Sequence, residues 1–162
     1  MTVVGLLWSC IPGFSDPAKM NLNTDHLKRC IETLRLSLTF YEKAATDSID
    51  QDIFRNAIVK GYELAQETSF KLLKKALRDY GHGAQKIDTT LIKDLLRLSA
   101  THGLMSIDAV ERWFAYRDNR NNTAHDYGEN FAKETLCLIP SFINDVSQLE
   151  AILRQRFSEG NN

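Results

Sequence analysis

Chemically versatile side chains are concentrated in one short stretch of this 162-residue chain, between Trp113 and Tyr127. Within eleven positions it holds two guanidinium groups, an amide, an imidazole and a phenol: Arg117, Arg120, Asn121, His125 and Tyr127. Elsewhere apolar and charged residues alternate as in ordinary amphipathic helices. A charged and titratable cluster is costly to bury without partners. We therefore expect any chemistry of this protein to occur here.

Arg120 and His125 are the residues of this stretch that suit chemistry on RNA. Histidine can take or give a proton near neutral pH. Arginine can hold a phosphate and stabilise the charge that develops on its oxygens. Together they suit attack of an RNA 2′-hydroxyl on the adjacent phosphate, a reaction that requires no metal ion. Asn121 either positions a phosphate oxygen or holds the loop.

The spacing of Arg120 and His125 raises a geometric problem. On one straight helix the two side chains point about 140° apart, because successive residues advance by about 100°. The residues around and between them are poor helix formers that compete for backbone hydrogen bonds: Asn119, Asn121, Asn122 and Thr123. We expect the helix to fray or end there, which would swing His125 toward Arg120. Alternatively, two copies of the stretch meet across a dimer axis.

Length and composition indicate one globular domain. The net charge of −1 and the pI near 6.4 argue against a generally basic nucleic-acid binder, but they leave room for a local basic cleft. The cysteines Cys10, Cys30 and Cys137 form no Cys-x-x-Cys pair, so neither a zinc ribbon nor a redox motif is indicated. Scattered thiols favour a reducing cytosol, and we predict that Cys30 and Cys137 are core residues.

The two ends of the chain differ from its centre. Residues 1–22 carry two prolines and no helical period, and we predict a disordered or loosely docked extension. They lack a basic segment typical of signal peptides, and no apolar run approaches the roughly 18 residues needed to span a bilayer. We therefore predict a cytoplasmic protein without a membrane segment. Its helical bundle would occupy residues 23–157, followed by a tail at 158–162.

Five helices are predicted from the spacing of apolar residues. They begin at Asn23 or Thr24, near Asp52, at Thr90, at Ser106 and near Asn130; the second ends at Tyr80, the third at Thr101 and the fifth at Phe157. Gly61 and Ala65 should let a neighbouring helix approach closely, and Leu91 should be buried. Pro140 should kink the last helix. The predicted fold is an all-α up-and-down bundle of four long helices plus a shorter one.

The segment Arg120-Asn-Asn-Thr-Ala-His125-Asp-Tyr127 resembles the Arg-Asn-x₃-His-x-Tyr motif of the HEPN superfamily (higher eukaryotes and prokaryotes nucleotide-binding). The longer string from Tyr116 to Tyr127 is similar to the nucleotidyltransferase substrate-binding branch. That branch forms the toxin half of HEPN/minimal-nucleotidyltransferase toxin–antitoxin pairs. The helix pattern agrees with this branch from about Thr24 to Phe157.

The resemblance implies a HEPN bundle that works as a homodimer, with both motifs facing one cleft. Arg120 and His125 would be the catalytic pair of an endoribonuclease that needs neither metal nor cofactor. Tyr127 would be the acceptor on which a partner minimal nucleotidyltransferase places AMP, which silences the toxin. Asn121 and Arg117 would support the site or bind phosphate. The alternative for Arg117 is a structural ion pair with Asp118 or Glu111.

Two other functions remain open from the sequence. The chain could be a non-catalytic subunit that binds a minimal nucleotidyltransferase and supplies its nucleotide or substrate pocket. In that case the bundle and the dimer would be the same, but His125 would cut nothing. A plain helical interaction module with a vestigial motif is the third possibility.

Overall fold

The computed structural model describes residues 20–123 and 129–158, and its regular elements there are all α-helices. They are α1 (Asp25–Lys43), α2 (Ile49–Asp79), α3 (Ala84–Thr89), α4 (Ile92–Thr101), α5 (Ile107–Thr123) and α6 (Glu129–Ser158). The predicted all-α fold with four long helices is confirmed. Two short helices, α3 and α4, accompany the long ones where a single short helix was predicted.

Helix α1 begins as the sequence predicts, but the two candidate caps have different tasks. Asn23 Oδ1 accepts a hydrogen bond from the backbone N–H of Asp25 at 2.8 Å. The buried Thr24 instead donates its hydroxyl to Glu150 Oε1 of α6 at 2.8 Å. Leu22 is also buried, and its N–H donates to the Phe157 carbonyl at 3.4 Å. The helical unit therefore includes Leu22, one residue before the predicted boundary.

Helix α2 lies at the centre of the bundle and contacts α1, α3, α4 and α6. It begins three residues before the predicted start, because the hydroxyl of Ser48 accepts from the Gln51 N–H at 3.1 Å. A Cβ placed on Gly61 would lie 3.3 Å from Leu34 Cδ1 of α1. The expectation that small residues here allow close helix approach is confirmed.

The connection from α2 to α4 contains the element that the sequence prediction missed. Gly81 adopts a φ of 90° just after α2, as expected for a glycine that ends a helix. The short helix α3 follows, and the hydroxyl of Thr90 donates back to the Lys86 carbonyl at 2.6 Å. Thr90 therefore does not cap α4. Its cap residue is Leu91, which is 73% exposed, so the prediction that Leu91 is buried is wrong.

Aromatic rings fasten α2, α5 and α6 to one another. Trp113 and Tyr116 of α5 are each 1% exposed, and both lie edge-on to Phe142 of α6, at 5.5 and 5.2 Å between ring centroids. Tyr62 of α2 approaches the same Phe142 ring at 4.7 Å. Trp113 and Tyr116 therefore belong to the core and fix the position of α5.

Helix α6 packs one face in the core of the bundle, and parts of it differ from what the sequence predicts. Cys137 is exposed, so its assignment to the core is wrong, whereas Cys30 is buried as predicted. Pro140 lies exposed within the helix, which continues on both sides of it. The segment Ala132–Phe157 is long and apolar enough to cross a membrane by length and composition alone. Core helices of globular proteins share this property, and the inner face of α6 packs in the core.

Candidate functional site

Helix α5 carries the first part of the motif to one end of the bundle. It begins as predicted, with the hydroxyl of Ser106 accepting from the Ala109 N–H at 3.1 Å. It then remains helical through Thr123, the last of the poor helix formers at which it was expected to fray or end, so no fraying is observed from Asn119 to Thr123. The reason lies in the packing: Asn119 is only 9% exposed, and its Oδ1 accepts from the Thr135 hydroxyl of α6 at 3.2 Å.

Arg120 lies at the edge between α5 and α2, with 21% of its side chain exposed. Its Nη2 donates to Glu63 Oε1 at 3.3 Å and, more closely, to Glu67 Oε1. Lys60 also donates to Glu63, at 3.1 Å. These two cations hold the pKa of Glu63 below its ordinary value, with the hydrogen bond from Lys60 as the largest cause.

Arg117 is half-buried one turn before Arg120, and its guanidinium lies 6.0 Å from the centre of the Phe70 ring. Burial lowers its pKa, and the positive charge of Arg120 lowers it further. The expected pairing with Asp118 or Glu111 does not occur, because Asp118 binds Lys93 at 3.2 Å and Arg117 has no ion pair among the described residues. Arg117 therefore packs on an aromatic ring.

The remaining motif residues divide into one that the structure describes and two that it does not. Asn121 is exposed in the last turn of α5 and is therefore accessible to a ligand. His125 and Tyr127 lie outside the described residues. Their roles stay predictions, as does the direction in which the chain turns after Thr123.

Arg112 has a structural role that the sequence did not reveal. It donates through Nε and Nη2 to the two carboxylate oxygens of Asp145 on α6, each at 2.7 Å. Tyr116 donates its hydroxyl to the same carboxylate, also at 2.7 Å, and burial is the main cause of its raised pKa. The guanidinium of Arg112 is therefore engaged with α6.

Hydrogen bonds to one carbonyl connect α5 to α2 just beside Arg120. The hydroxyl of Tyr62 donates to the Tyr116 carbonyl at 3.0 Å, and Gln66 Nε2 approaches the same oxygen at 3.4 Å. The carbonyl oxygen Oε1 of Gln66 is buried and has no hydrogen-bond partner among the residues that the structure describes. Both donors of α2 are buried, so the register of the two helices is fixed at this point.

Sequence reasoning missed Glu63 and Glu67, which hold Arg120 from α2. They are four residues apart, so they occupy one face of the helix on consecutive turns. An acidic pair at this spacing is also typical of a solvated helix face, and nothing in the linear sequence distinguishes the two cases. Among residues 20–123 and 129–158, no group of three or more His, Cys, Asp or Glu side chains is arranged to hold a metal ion.

The helical architecture, together with the Arg-Asn-x₃-His-x-Tyr motif that starts at the end of α5, defines a protein of the HEPN superfamily. The chain belongs to the family described as nucleotidyltransferase substrate binding protein like, whose sequence model matches residues 22–155. The match covers almost the whole described helical unit and includes the motif.

Two similar proteins support this assignment. The chain is 34% identical over 109 residues to "Probable ribonuclease HepT" of Haemophilus influenzae, a match that spans 67% of this chain and 73% of that protein. Its fold is similar to that of a tri-AMPylated Shewanella oneidensis HEPN toxin solved in complex with an MNT antitoxin. That similarity has a TM-score of 0.58 with 14% identity, and it covers 81% of this chain and 98% of the toxin.

Proposed function

We propose that this protein is a HEPN-type toxin, a metal-independent endoribonuclease that a partner nucleotidyltransferase neutralises by AMP transfer. The observation that carries the proposal is the placement of Arg120. It is fixed on the last turns of a helix anchored in the core, five residues before His125 in the HEPN motif. The similarity to a protein named as a probable ribonuclease supports the same reaction.

In the proposed reaction, the 2′-hydroxyl of RNA attacks the adjacent phosphorus and the 5′-oxygen of the next nucleotide leaves. His125 transfers protons, taking one from the 2′-hydroxyl or giving one to the departing oxygen. Arg120 stabilises the negative charge that develops on the phosphate oxygens. The products are a 2′,3′-cyclic phosphate and a free 5′-hydroxyl, so the atoms balance without a metal or cofactor.

The RNA would approach from the exposed end of α5. Asn121 is exposed there and would hydrogen-bond a phosphate oxygen or hold the following loop. Arg117 is half-buried one turn earlier and would add positive charge to the site. We propose a homodimer in which both motifs face one cleft, because a chain with a net charge of −1 must gather its cations locally to bind RNA. Action on RNA and the reducing environment suited to its thiols indicate the cytoplasm.

Tyr127 is the proposed site of silencing. The tyrosine oxygen would attack the α-phosphate of ATP on the partner enzyme, and pyrophosphate would leave. The resulting AMP would bring bulk and negative charge within two residues of His125, where RNA must bind. The structurally similar toxin is named as AMPylated and bound to an MNT antitoxin, which supports a partner of this kind.

The first test is cleavage of a labelled RNA pool in EDTA. Wild type should cut and leave 2′,3′-cyclic phosphate ends, while His125→Ala and Arg120→Ala should lose cleavage by about 10²-fold or more. His26→Ala is a matched control, because His26 lies exposed on the second residue of α1. Cleavage that persists in His125→Ala would show that this imidazole does not act in the reaction.

The second test addresses silencing. The protein is incubated with its nucleotidyltransferase and ATP, and the adduct is located by peptide mass spectrometry. We expect added AMP on Tyr127, loss of RNA cleavage in the modified protein, and no adduct in Tyr127→Phe. Tyr80→Phe should be modified like wild type, because Tyr80 follows α2 directly and lies far along the chain from the motif. An adduct that persists in Tyr127→Phe would remove Tyr127 from the mechanism.

A non-catalytic subunit of a minimal nucleotidyltransferase is the second candidate function. The contacts of Arg120 with Glu63 and Glu67 favour it, because two carboxylates offset the charge of the guanidinium before any phosphate binds. In that case a well-folded wild-type dimer would cut no RNA in EDTA. It would still bind the nucleotidyltransferase, and its His125→Ala variant would bind equally well.

A further inference from the structure

Two glutamates of α2 hold the guanidinium of Arg120 at the end of α5. We propose that Glu63 and Glu67 are positioning residues that fix the orientation of Arg120 toward an RNA phosphate. The inference rests on the proposed ribonuclease function and adds to it two residues that lie about 55 positions before the motif. The contacts of Arg120 with both carboxylates provide the geometry for this role.

The two carboxylates belong to α2, a helix whose position relative to α5 is fixed by hydrogen bonds. Glu63 and Glu67 are one turn apart on α2 and flank the arginine from the same side. The residues just before them in the chain are Tyr62 and Gln66, which are both buried. The Tyr62 hydroxyl and the Gln66 side-chain amide donate to the Tyr116 carbonyl on α5. Movement of α2 relative to α5 would break these bonds, so the glutamates offer Arg120 a fixed pair of acceptors.

Arg120 needs such acceptors because its side chain is long and only 21% exposed. A long side chain near the end of a helix otherwise samples many rotamers, and ordering it costs conformational entropy. A partly desolvated guanidinium is also stabilised by opposite charge nearby. Glu63 and Glu67 order the Arg120 side chain and provide the opposite charge before RNA binds. The side-chain entropy of Arg120 is therefore lost during folding and not during the reaction.

The glutamates also allow two cations to lie on neighbouring turns. Burial is the main cause of the lowered pKa of Arg117, and the like charge of Arg120 one turn away lowers it further. The charge of Glu67 acts on Arg117 in the opposite direction. Neutralising part of this repulsion keeps both arginines at the end of α5, where a polyanion would find them together.

A positioning role makes a specific kinetic prediction, because the glutamates act only through Arg120. Removing both should lower kcat nearly as far as Arg120→Ala does, by about 10²-fold, with little change in KM. Glu63→Gln and Glu67→Gln should retain more activity than the matching alanine variants, because the amide oxygen still accepts from the guanidinium. Adding the glutamate substitutions to Arg120→Ala should cause no further loss.

The experiment is a cleavage series in EDTA with single, double and triple variants of Glu63, Glu67 and Arg120. Asp52→Ala is the matched control, because it removes the exposed Asp52–Arg55 ion pair on the same helix without touching Arg120. Thermal unfolding confirms that each variant folds. Losses that multiply with the Arg120→Ala loss would overturn the proposal, and so would a double variant that cuts RNA faster than wild type.

A second readout requires no RNA. The nitrogen-15 side-chain spectrum of Arg120 should show slow rotation of the guanidinium in wild type and fast rotation in Glu63→Ala/Glu67→Ala. Equal, fast rotation in both proteins would overturn the proposal whether or not RNA is cut.

If wild type cuts no RNA at all, the ribonuclease proposal fails, and the positioning role fails with it. If wild type cuts but the losses multiply, only the positioning role fails.

Discussion

At the scale of single residues, Glu63 gives the site a measurable dependence on pH. Its pKa lies below the ordinary value of about 4.3 because Lys60 and Arg120 favour the charged carboxylate. A depressed pKa means that the ion pairs stabilise the fold fully above the unfolded pKa, and that this contribution disappears as the pH falls through the folded pKa.

The corresponding prediction compares wild type with Glu63→Gln. The melting temperature of wild type should exceed that of the variant by a small margin at pH 6, because the carboxylate is half-exposed and solvent screens it. The margin should shrink as the pH falls from about 5 through the lowered pKa of the folded state. Melting curves at half-unit steps measure the margin. A margin that stays constant over this range would mean that the charge of Glu63 contributes nothing to folding.

The residues of the site differ in how far the sequence could reveal them. Arg120 belongs to a motif whose residue types and spacing already suggest phosphoryl chemistry. Glu63 and Glu67 belong to no motif, and only the pairing of α2 with α5 brings them to Arg120. Asn119 has a low helix propensity, but its buried bond to Thr135 keeps α5 helical. Tertiary contacts decided each of these outcomes, and single-helix reasoning contains no information about them.

At the scale of helices, the carboxylate of Asp145 joins α6 to α5. It is buried and accepts from Arg112 and from the Tyr116 hydroxyl. Asp145→Ala would leave the Tyr116 hydroxyl without its acceptor inside the core, and we expect a loss of about 2–3 kcal/mol in the free energy of unfolding. Tyr116→Phe removes one partner and leaves the Arg112 bonds, so it should cost about 1 kcal/mol. Urea denaturation measures both, and equal effects would contradict this hierarchy.

The contact between α1 and α2 gives a second prediction at this scale. Gly61→Ala brings a Cβ to 3.3 Å from Leu34 Cδ1, a contact that a small shift of the leucine end can relieve. Alanine also raises helix propensity by about 1 kcal/mol, so the two effects should nearly cancel. Gly61→Leu cannot be accommodated in this way and should cost about 1–3 kcal/mol through overpacking. Stability of Gly61→Leu equal to wild type would show that α1 and α2 are not closely packed here.

The ends of two helices followed the sequence because glycines determine them locally. Gly81 and Gly103 both have positive φ values and end α2 and α4 as predicted. The short helix α3 was missed because six residues contain too few apolar positions to show a period. The wrong prediction for Leu91 has the same origin. Because α3 was missed, the start of α4 was placed at Thr90, whereas α4 begins after Leu91.

At the scale of the whole molecule, the continuity of α5 bears on how two copies of the motif would work together. A site built within one chain was expected to need a helix that frays or ends around Asn119 to Thr123, and α5 is helical as far as Thr123. Only Ala124 separates the end of α5 from His125. In the proposed homodimer, Arg120 would act either with His125 of its own chain or with His125 of the other copy, and the second arrangement can be tested directly.

Mixing two inactive variants tests this arrangement. Arg120→Ala and His125→Ala chains are co-expressed with different tags, and the heterodimer is isolated through both tags. If each site combines Arg120 of one copy with His125 of the other, the heterodimer retains one intact site and should cut RNA at about half the wild-type rate. Each variant homodimer should remain inactive. A heterodimer that cuts no RNA would show that Arg120 and His125 of the same chain form the site.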